Sequence, residues 1–518
     1  MPQSVSRMRR GPFYGFRDQS GSARPTSVIY CEVSVAANLL GGSPLESNPL
    51  APDWLDASVD ANALWPGLWS ANTVRATDGE LVVAGVAASQ LVEQFGTPLY
   101  VVDEAHARNR AVEVREAFER ELGRVGGRAS VYYAGKAFLC TEVARWVTEA
   151  GLNIDVASGG ELAVALAAGV APARLGFHGN NKSQTEIDRA VGVGVGTIVM
   201  DSLWEIERVA ESAARQGVTQ RVRLRVNSGV HAHTHSFLAT AHEDQKFGVT
   251  ITDAPALVAR IREHSALNFV GIHCHIGSQI FGTAGFAESA SRLLALHSEL
   301  LAGGPVPELN LGGGFGIAYT PADEPTPIGA IAAEIADMVA AECARLGIEI
   351  PLIALEPGRA VIGTSTATLY TVGTTKDVTV EFDGTNAIRR YVSVDGGMSD
   401  NARPALYEAD YSVRIANRVS DAPQQLVRIA GKHCESGDIV VYADYLPGDV
   451  QPGDIVATPA TGAYCFSLSS NYNYLARPPV VAVRDGVARV IVRGETEQDL
   501  LARDMGVNLK QPNDGAPQ

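Results

Sequence analysis

The sequence predicts an α/β protein: a (β/α)8 barrel with a C-terminal antiparallel β domain that an N-terminal segment completes. Three observations carry that expectation. Eight short apolar runs recur between Ser130 and Glu356, each followed by a stretch of helical spacing. Polar residues or glycines collect at the C-terminal end of nearly every run, the first at Lys136, the seventh at Gly312-Gly313-Gly314 and the eighth at Glu356-Pro357-Gly358-Arg359. After Thr364 the helical spacing fades and strand-like runs follow one another. In a parallel barrel all the strand ends open on one face, so an amine, a glycine loop and a carboxylate converge there.

The elements follow in chain order. Residues 1–60 are rich in Gly, Ser, Pro and Asn without helical periodicity and read as a disordered extension. Arg7, Arg9, Arg10, Arg17 and Arg24 lend it a transit-peptide character, which the missing periodicity opposes. Residues 61–103 are assigned to the β domain and 104–365 to the barrel. The barrel strands are expected at Ser130–Ala134, Leu152–Ala157, Arg174–His178, Thr197–Asp201, Val222–Asn227, Phe269–Cys274, Glu308–Leu311 and Leu352–Glu356. They are rich in Val, Ile, Leu and Tyr and do not alternate strictly, as befits strands buried on both faces. Between them, Ile328, Ile331, Ile335, Met338 and Val339 recur at steps of three and four, the pattern of a helix covering a sheet. Residues 366–518 complete the β domain. Within it, Asp485-Gly486 between two alternating runs marks a hairpin over Val480–Arg493.

Composition removes several functional classes. A chain of 518 residues with 46% hydrophobic and 19% charged side chains buries a large core in two or more domains. A formal net charge of -16 is wrong for a nucleic-acid surface, which needs clustered positive charge, and favours a small polar substrate. The six cysteines, at 31, 140, 274, 343, 434 and 465, form no CxxC pair and read as reduced thiols in a cytoplasmic protein. No apolar run reaches the ~18 residues of a membrane span.

The chemistry concentrates at the strand ends. Lys136, after Tyr132-Tyr133-Ala134-Gly135, is either a surface cap or an amine held for an aldehyde, which requires partial desolvation and a fixed position. The triple glycine lets backbone N–H groups approach a phosphate, and the loops after strands seven and eight are where barrels often bind one. Glu356 and Arg359 are either an exposed ion pair or a carboxylate for a protonated pyridine nitrogen beside an anion clamp. His275, in His275-Ile276-Gly277-Ser278-Gln279, is placed to lie flat on such a ring, with Ser278 as a phosphate donor. Together these describe a site for a phosphorylated aldehyde cofactor. The histidines at 231, 233, 235 and 242 suggest a metal, but no thiolate or carboxylate completes their set, and no metal is expected.

These motifs, with Gly431-Lys432-His433-Cys434-Glu435-Ser436-Gly437-Asp438, resemble the diaminopimelate decarboxylase family, pyridoxal-phosphate enzymes of the alanine-racemase fold type related to ornithine and arginine decarboxylases. The resemblance runs in order from Trp65 to Leu501. It implies pyridoxal 5'-phosphate as cofactor, with Lys136 bound to its aldehyde, Asp155 near that bond, His275 on the ring and Glu356 on the pyridine nitrogen. It gives the phosphate to Ser278, Gly312, Gly313, Gly314 and the turn Pro357, Gly358, Arg359, and has Tyr464 reach cofactor and substrate. It assigns the distal carboxylate of the substrate to Arg359, Arg403 and Tyr407, its distal ammonium to Glu435, and the returning proton to Cys434. The histidine-rich stretch through Gly248 becomes a loop near the active site, and His178 a pocket-shaping residue.

The implied reaction is decarboxylation of meso-2,6-diaminopimelate to L-lysine in a homodimer with shared sites, where Arg403, Cys434 and Glu435 face the Lys136 of the partner. The alternatives are a decarboxylase of ornithine, arginine or lysine, whose substrates lack the second carboxylate, and a non-catalytic cofactor-binding homologue.

Overall fold

The structure is a computed structural model and describes residues 48–230 and 246–507. The four histidines at 231–242 therefore lie outside the described residues.

All eight expected barrel strands form. They are Arg128–Ala134, Asn153–Val156, Leu175–Phe177, Thr197–Met200, Gln220–Asn227, Leu267–His273, Glu308–Asn310 and Leu352–Leu355, here called strands one to eight. Each pairs in parallel with its sequence neighbour, and Leu352 opposite Arg128 closes the ring. The short Val249–Thr250 pairs in parallel along strand five. Strands this short, buried on both faces, are stable only between a filled interior and a coat of helices. Helix Ile328–Leu346 shows how that coat is made: Ile328, Ile331, Ile335 and Val339 are buried against the barrel. Met338, one step off that stripe, is only partly buried.

The expectation of a helix after every strand needs one correction. Strand eight is followed only by the single turn Arg359–Ile362, because the chain leaves there for the β domain. The eighth position is taken by Glu104–Arg124, which precedes strand one and packs against Ile328–Leu346 and Thr141–Glu149.

The β domain is built on Thr366–Phe382, which pairs antiparallel with Thr385–Val394, Ile455–Thr458 and Leu99–Asp103. Two of its pairings are parallel, Thr385–Val394 with Gln424–Ala430 and Leu99–Asp103 with Val480–Arg484, so the antiparallel expectation holds for most of the sheet and not for all. The hairpin forms, Val480–Arg484 against Val487–Val492. Residues Thr73–Ala87 make a separate three-stranded sheet, whose Leu81, Val83 and Val86 share a core with Leu99, Leu369 and Val481.

The expected disorder up to residue 60 is also corrected where the chain is described. Leu50, Leu55, Ala57 and Ala61 pack on Leu426, Ala443 and Tyr445, and the Ala61 N–H donates to Gln424 at 3.2 Å. Enough apolar side chains occur among the polar ones to bury this lap. No helix of the described residues is long and apolar enough to cross a membrane.

Candidate active site

Lys136 sits in the single turn Gly135–Ala137 directly after strand one. Gly135 is required there, since a Cβ would come 2.8 Å from the Asp155 carbonyl. The β domain clamps the turn: the Tyr464 N–H and the Ser467 hydroxyl both donate to the Ala137 carbonyl, at 2.8 and 3.1 Å. Strand one delivers the lysine outward at the open end of the barrel, so the side chain is exposed and the expected partial desolvation is not provided by this chain's own fold. It borders two adjoining hollows of about 630 and 390 Å³.

The floor of the larger hollow is a buried group of acids and histidines. Glu356, after strand eight, accepts from Asn310 Nδ2 at 2.6 Å and lies 3.2 Å from His273 Nε2. His178 Nε2 lies 3.0 Å from Asp155 Oδ1 and 3.5 Å from Glu356 Oε1. Burial lowers both histidines to about 4, so they are neutral at pH 7. The two carboxyls are driven apart. Burial, reinforced by the nearby Glu356, raises Asp155 well above the usual carboxylate range. Burial also opposes the charge of Glu356, yet His273, His178 and the His273 hydrogen bond outweigh it and hold Glu356 well below that range. The floor thus keeps a proton on Asp155 and a negative charge on Glu356. Neither Asp155 oxygen has an aligned hydrogen-bond partner, the close His178 contact included.

His275 borders both hollows and accepts the Gly313 N–H at Nδ1, 3.2 Å away; burial and the neighbouring Lys136 keep its ring well below the ordinary histidine value. In the smaller hollow, Arg359 Nη2 donates to Ser278 Oγ at 2.9 Å and its guanidinium lies 4.8 Å from the Tyr464 ring centre. Gly358 also borders it, where a Cβ would come 3.0 Å from Ala134, while the Pro357 carbonyl accepts the Ala134 N–H.

The triple glycine has a different origin from the open cradle expected. A Cβ on Gly312, Gly313 or Gly314 would fall 2.4, 2.0 or 2.3 Å from the carbonyls of Cys274, Glu356 and Gly277. The run is dictated by close packing against the loops after strands six and eight. The amides of Gly312 and Gly313 are engaged by Asn310 Oδ1 and His275 Nδ1, and Gly314 alone of the three borders the hollow.

Arg403 opens the short helix Arg403–Tyr407 and is buried, with Tyr407 half-buried at its end. Its guanidinium stacks 4.2 Å from the Tyr319 ring centre and donates to the Tyr411 hydroxyl. Tyr319 in turn accepts a hydrogen bond from Arg359. Arg403 is therefore joined to the mouth of its own barrel, and the loop carrying Tyr319 lies between the two arginines. Cys434 and Glu435 behave differently. Both are exposed, and neither borders either hollow. Their loop is tied down by Asp438, which accepts the N–H groups of Met398 and His433 at 2.6 and 2.7 Å.

A protonated pyridine with a phosphate arm fits what is present. Glu356 offers an anion for a ring N–H, Asp155 has unpartnered carboxyl oxygens, and Ser278 with Arg359 offers donors to an anion beside Lys136.

Residues 109–363 match the family model of the pyridoxal-dependent decarboxylase pyridoxal binding domain. The diaminopimelate decarboxylase of Mycobacterium tuberculosis is 50% identical over 450 residues, spanning 85% of this chain and 98% of that protein. The chain belongs to the diaminopimelate decarboxylase family. The Bacillus subtilis member is 42% identical over 431 residues, 82% of this chain and 95% of that protein. Among solved structures, the diaminopimelate decarboxylase of M. jannaschii in complex with L-lysine superposes with a TM-score of 0.76 at 32% identity, covering 84% of this chain and 98% of that one. A family member is a pyridoxal-phosphate-dependent carboxy-lyase, and the barrel mouth has the groups such an enzyme requires.

Sequence reasoning did not find His273, Asn310, Tyr319 or Tyr411. For His273 a signal existed: it lies two residues before His275 at the end of strand six, and alternate residues of a strand share a face. Tyr319 and Tyr411 lie in irregular segments, where spacing predicts no direction.

Proposed function

We propose that this protein decarboxylates meso-2,6-diaminopimelate to L-lysine and carbon dioxide, the last step of lysine biosynthesis, as a cytoplasmic homodimer with shared active sites. One observation carries the choice of substrate. Arg403 is buried, and among the described residues it has no carboxylate within ion-pair distance. A buried cation without an anion is costly, so a carboxylate on the substrate is the ligand that completes it. Ornithine, arginine and lysine have no second carboxylate to offer.

Pyridoxal phosphate, when bound, supplies the electron-withdrawing ring that takes up the pair from the breaking carbon–carboxylate bond. Lys136 would hold its aldehyde carbon, Glu356 would accept the pyridine N–H, and His275 would lie against the ring. Ser278, Arg359 and Gly314 would hold the phosphate, and Tyr464, fixed by its N–H on the lysine turn, would close that side. Arg403, with Arg359 and Tyr407, would hold the distal carboxylate and so direct the other stereocentre toward Lys136. The proton that replaces carbon dioxide comes from Cys434 Sγ of the neighbouring subunit, and Glu435 beside it meets the distal ammonium. The exposure of both residues and their absence from the lining of this chain's own hollows support that assignment. The free cysteines at 140, 274, 343, 434 and 465 support a reducing compartment.

Carbon dioxide release is measured from diaminopimelate, ornithine, arginine and lysine with added pyridoxal phosphate. The expected result is release from diaminopimelate alone, abolished together with the visible cofactor absorbance in Lys136→Ala. Preferred release from any of the other three refutes the substrate.

A further inference from the structure

The two buried arginines are held by a residue that belongs to neither of their motifs. Tyr319 lies in the loop after strand seven and is 4% exposed. Its hydroxyl accepts a hydrogen bond from Arg359, after strand eight. The Arg403 guanidinium, from the β domain, rests 4.2 Å from its ring centre. Tyr411 closes the far side: its ring meets that of Tyr319 edge-on at 5.0 Å and 72°, and its hydroxyl accepts from Arg403. A ring face attracts a desolvated cation electrostatically, and a phenol oxygen satisfies one guanidinium N–H. Neither supplies a full negative charge. The arrangement fixes both cations in place without pairing either to an acidic side chain, so Arg403 stays free to bind an incoming carboxylate strongly while Arg359 also serves the phosphate.

We propose that Tyr319 is the positioning residue for distal-carboxylate recognition, holding Arg359 through its hydroxyl and Arg403 through its ring face. The inference rests on the substrate reading above. It makes selectivity for a dicarboxylic substrate depend on a side chain that need not touch the substrate.

The discriminating ligands are L-lysine, which carries the carboxylate, and cadaverine, which has the same carbon chain and amines without it. Binding of each to the holoenzyme is measured by calorimetry in the native protein, Tyr319→Phe and Tyr319→Leu. The expected result for Tyr319→Leu is an L-lysine Kd raised about 10- to 100-fold, the worth of a charge-assisted bond or two, with cadaverine changed less than about threefold. The KM for diaminopimelate should rise in step while kcat stays within about threefold. Tyr319→Phe keeps the ring under Arg403 and should fall between native and Leu. Equal weakening of both ligands would mean a merely structural residue and would overturn the inference, as would unchanged L-lysine affinity in Tyr319→Leu or, if that variant does not fold, in Tyr319→Phe. If the native holoenzyme does not prefer L-lysine to cadaverine, the substrate reading itself fails.

Discussion

His297, on the barrel-facing side of helix Ala284–Leu301, is 2% exposed, and its Nδ1 has no hydrogen-bond partner. Burial lowers it from 6.5 to about 4. A histidine depressed in the folded state stabilises the fold fully above its unfolded value, and that contribution is lost as pH falls through the folded one. Between pH 6.5 and about 4 this single ring should therefore cost about 3 kcal/mol of stability. Denaturant titrations across that window should show the loss in the native protein and a flatter profile in His297→Gln; parallel profiles would exclude the ring as the cause. The contrast with the active-site residues is instructive. Lys136, His275, Glu356 and Arg359 were legible because each stands in a short motif at a strand end. His297 and Tyr319 were not, because a helix face and an irregular loop do not disclose in advance which side chain turns inward.

At the scale of elements, strand three shows how a scaffold position serves a neighbouring strand. Gly176 lies opposite Asp155 in the ladder, and a Cβ there would fall 2.3 Å from Asp155 Oδ1. Gly176→Ala should push that carboxyl off the floor of the cavity at an overpacking cost of about 1–3 kcal/mol. Pyridoxal phosphate affinity, followed by fluorescence quenching, should weaken by about tenfold or more, since 1.4 kcal/mol is one decade. An unchanged affinity would show that Asp155 tolerates the shift. The barrel strands themselves were readable because burial on both faces leaves continuous apolar runs. The order of the helices was less so: nothing in the spacing of Glu104–Arg124 says that it serves as the eighth helix from in front of strand one. Nor does alternation distinguish the parallel pairs Thr385–Val394 with Gln424–Ala430 and Leu99–Asp103 with Val480–Arg484 from antiparallel ones.

For the whole molecule, the candidate residues divide between groups that one chain assembles and groups that it presents outward. Lys136, Glu356, Arg359 and Arg403 are joined through Tyr319 and the two hollows, whereas Cys434 and Glu435 stand exposed on a loop tied to Asp438. If two chains complete each other's sites, mixing inactive Lys136→Ala with inactive Cys434→Ala should restore decarboxylation, because one site of each mixed dimer keeps both groups. Failure of verified mixed dimers to recover any activity would refute sharing.

The strand Leu99–Asp103 is buried along its whole length, yet its partners Thr366–Leu369 and Val480–Val483 lie beyond the entire barrel in the chain. A ribosome therefore releases this apolar segment long before anything exists for it to pair with. The barrel has to be synthesised while its flanking sheet waits, and that sheet closes only when the last hairpin has emerged. Pairings so distant in sequence make for slow folding and a long exposure to aggregation, and they place the final assembly of the β domain after translation of nearly the whole chain.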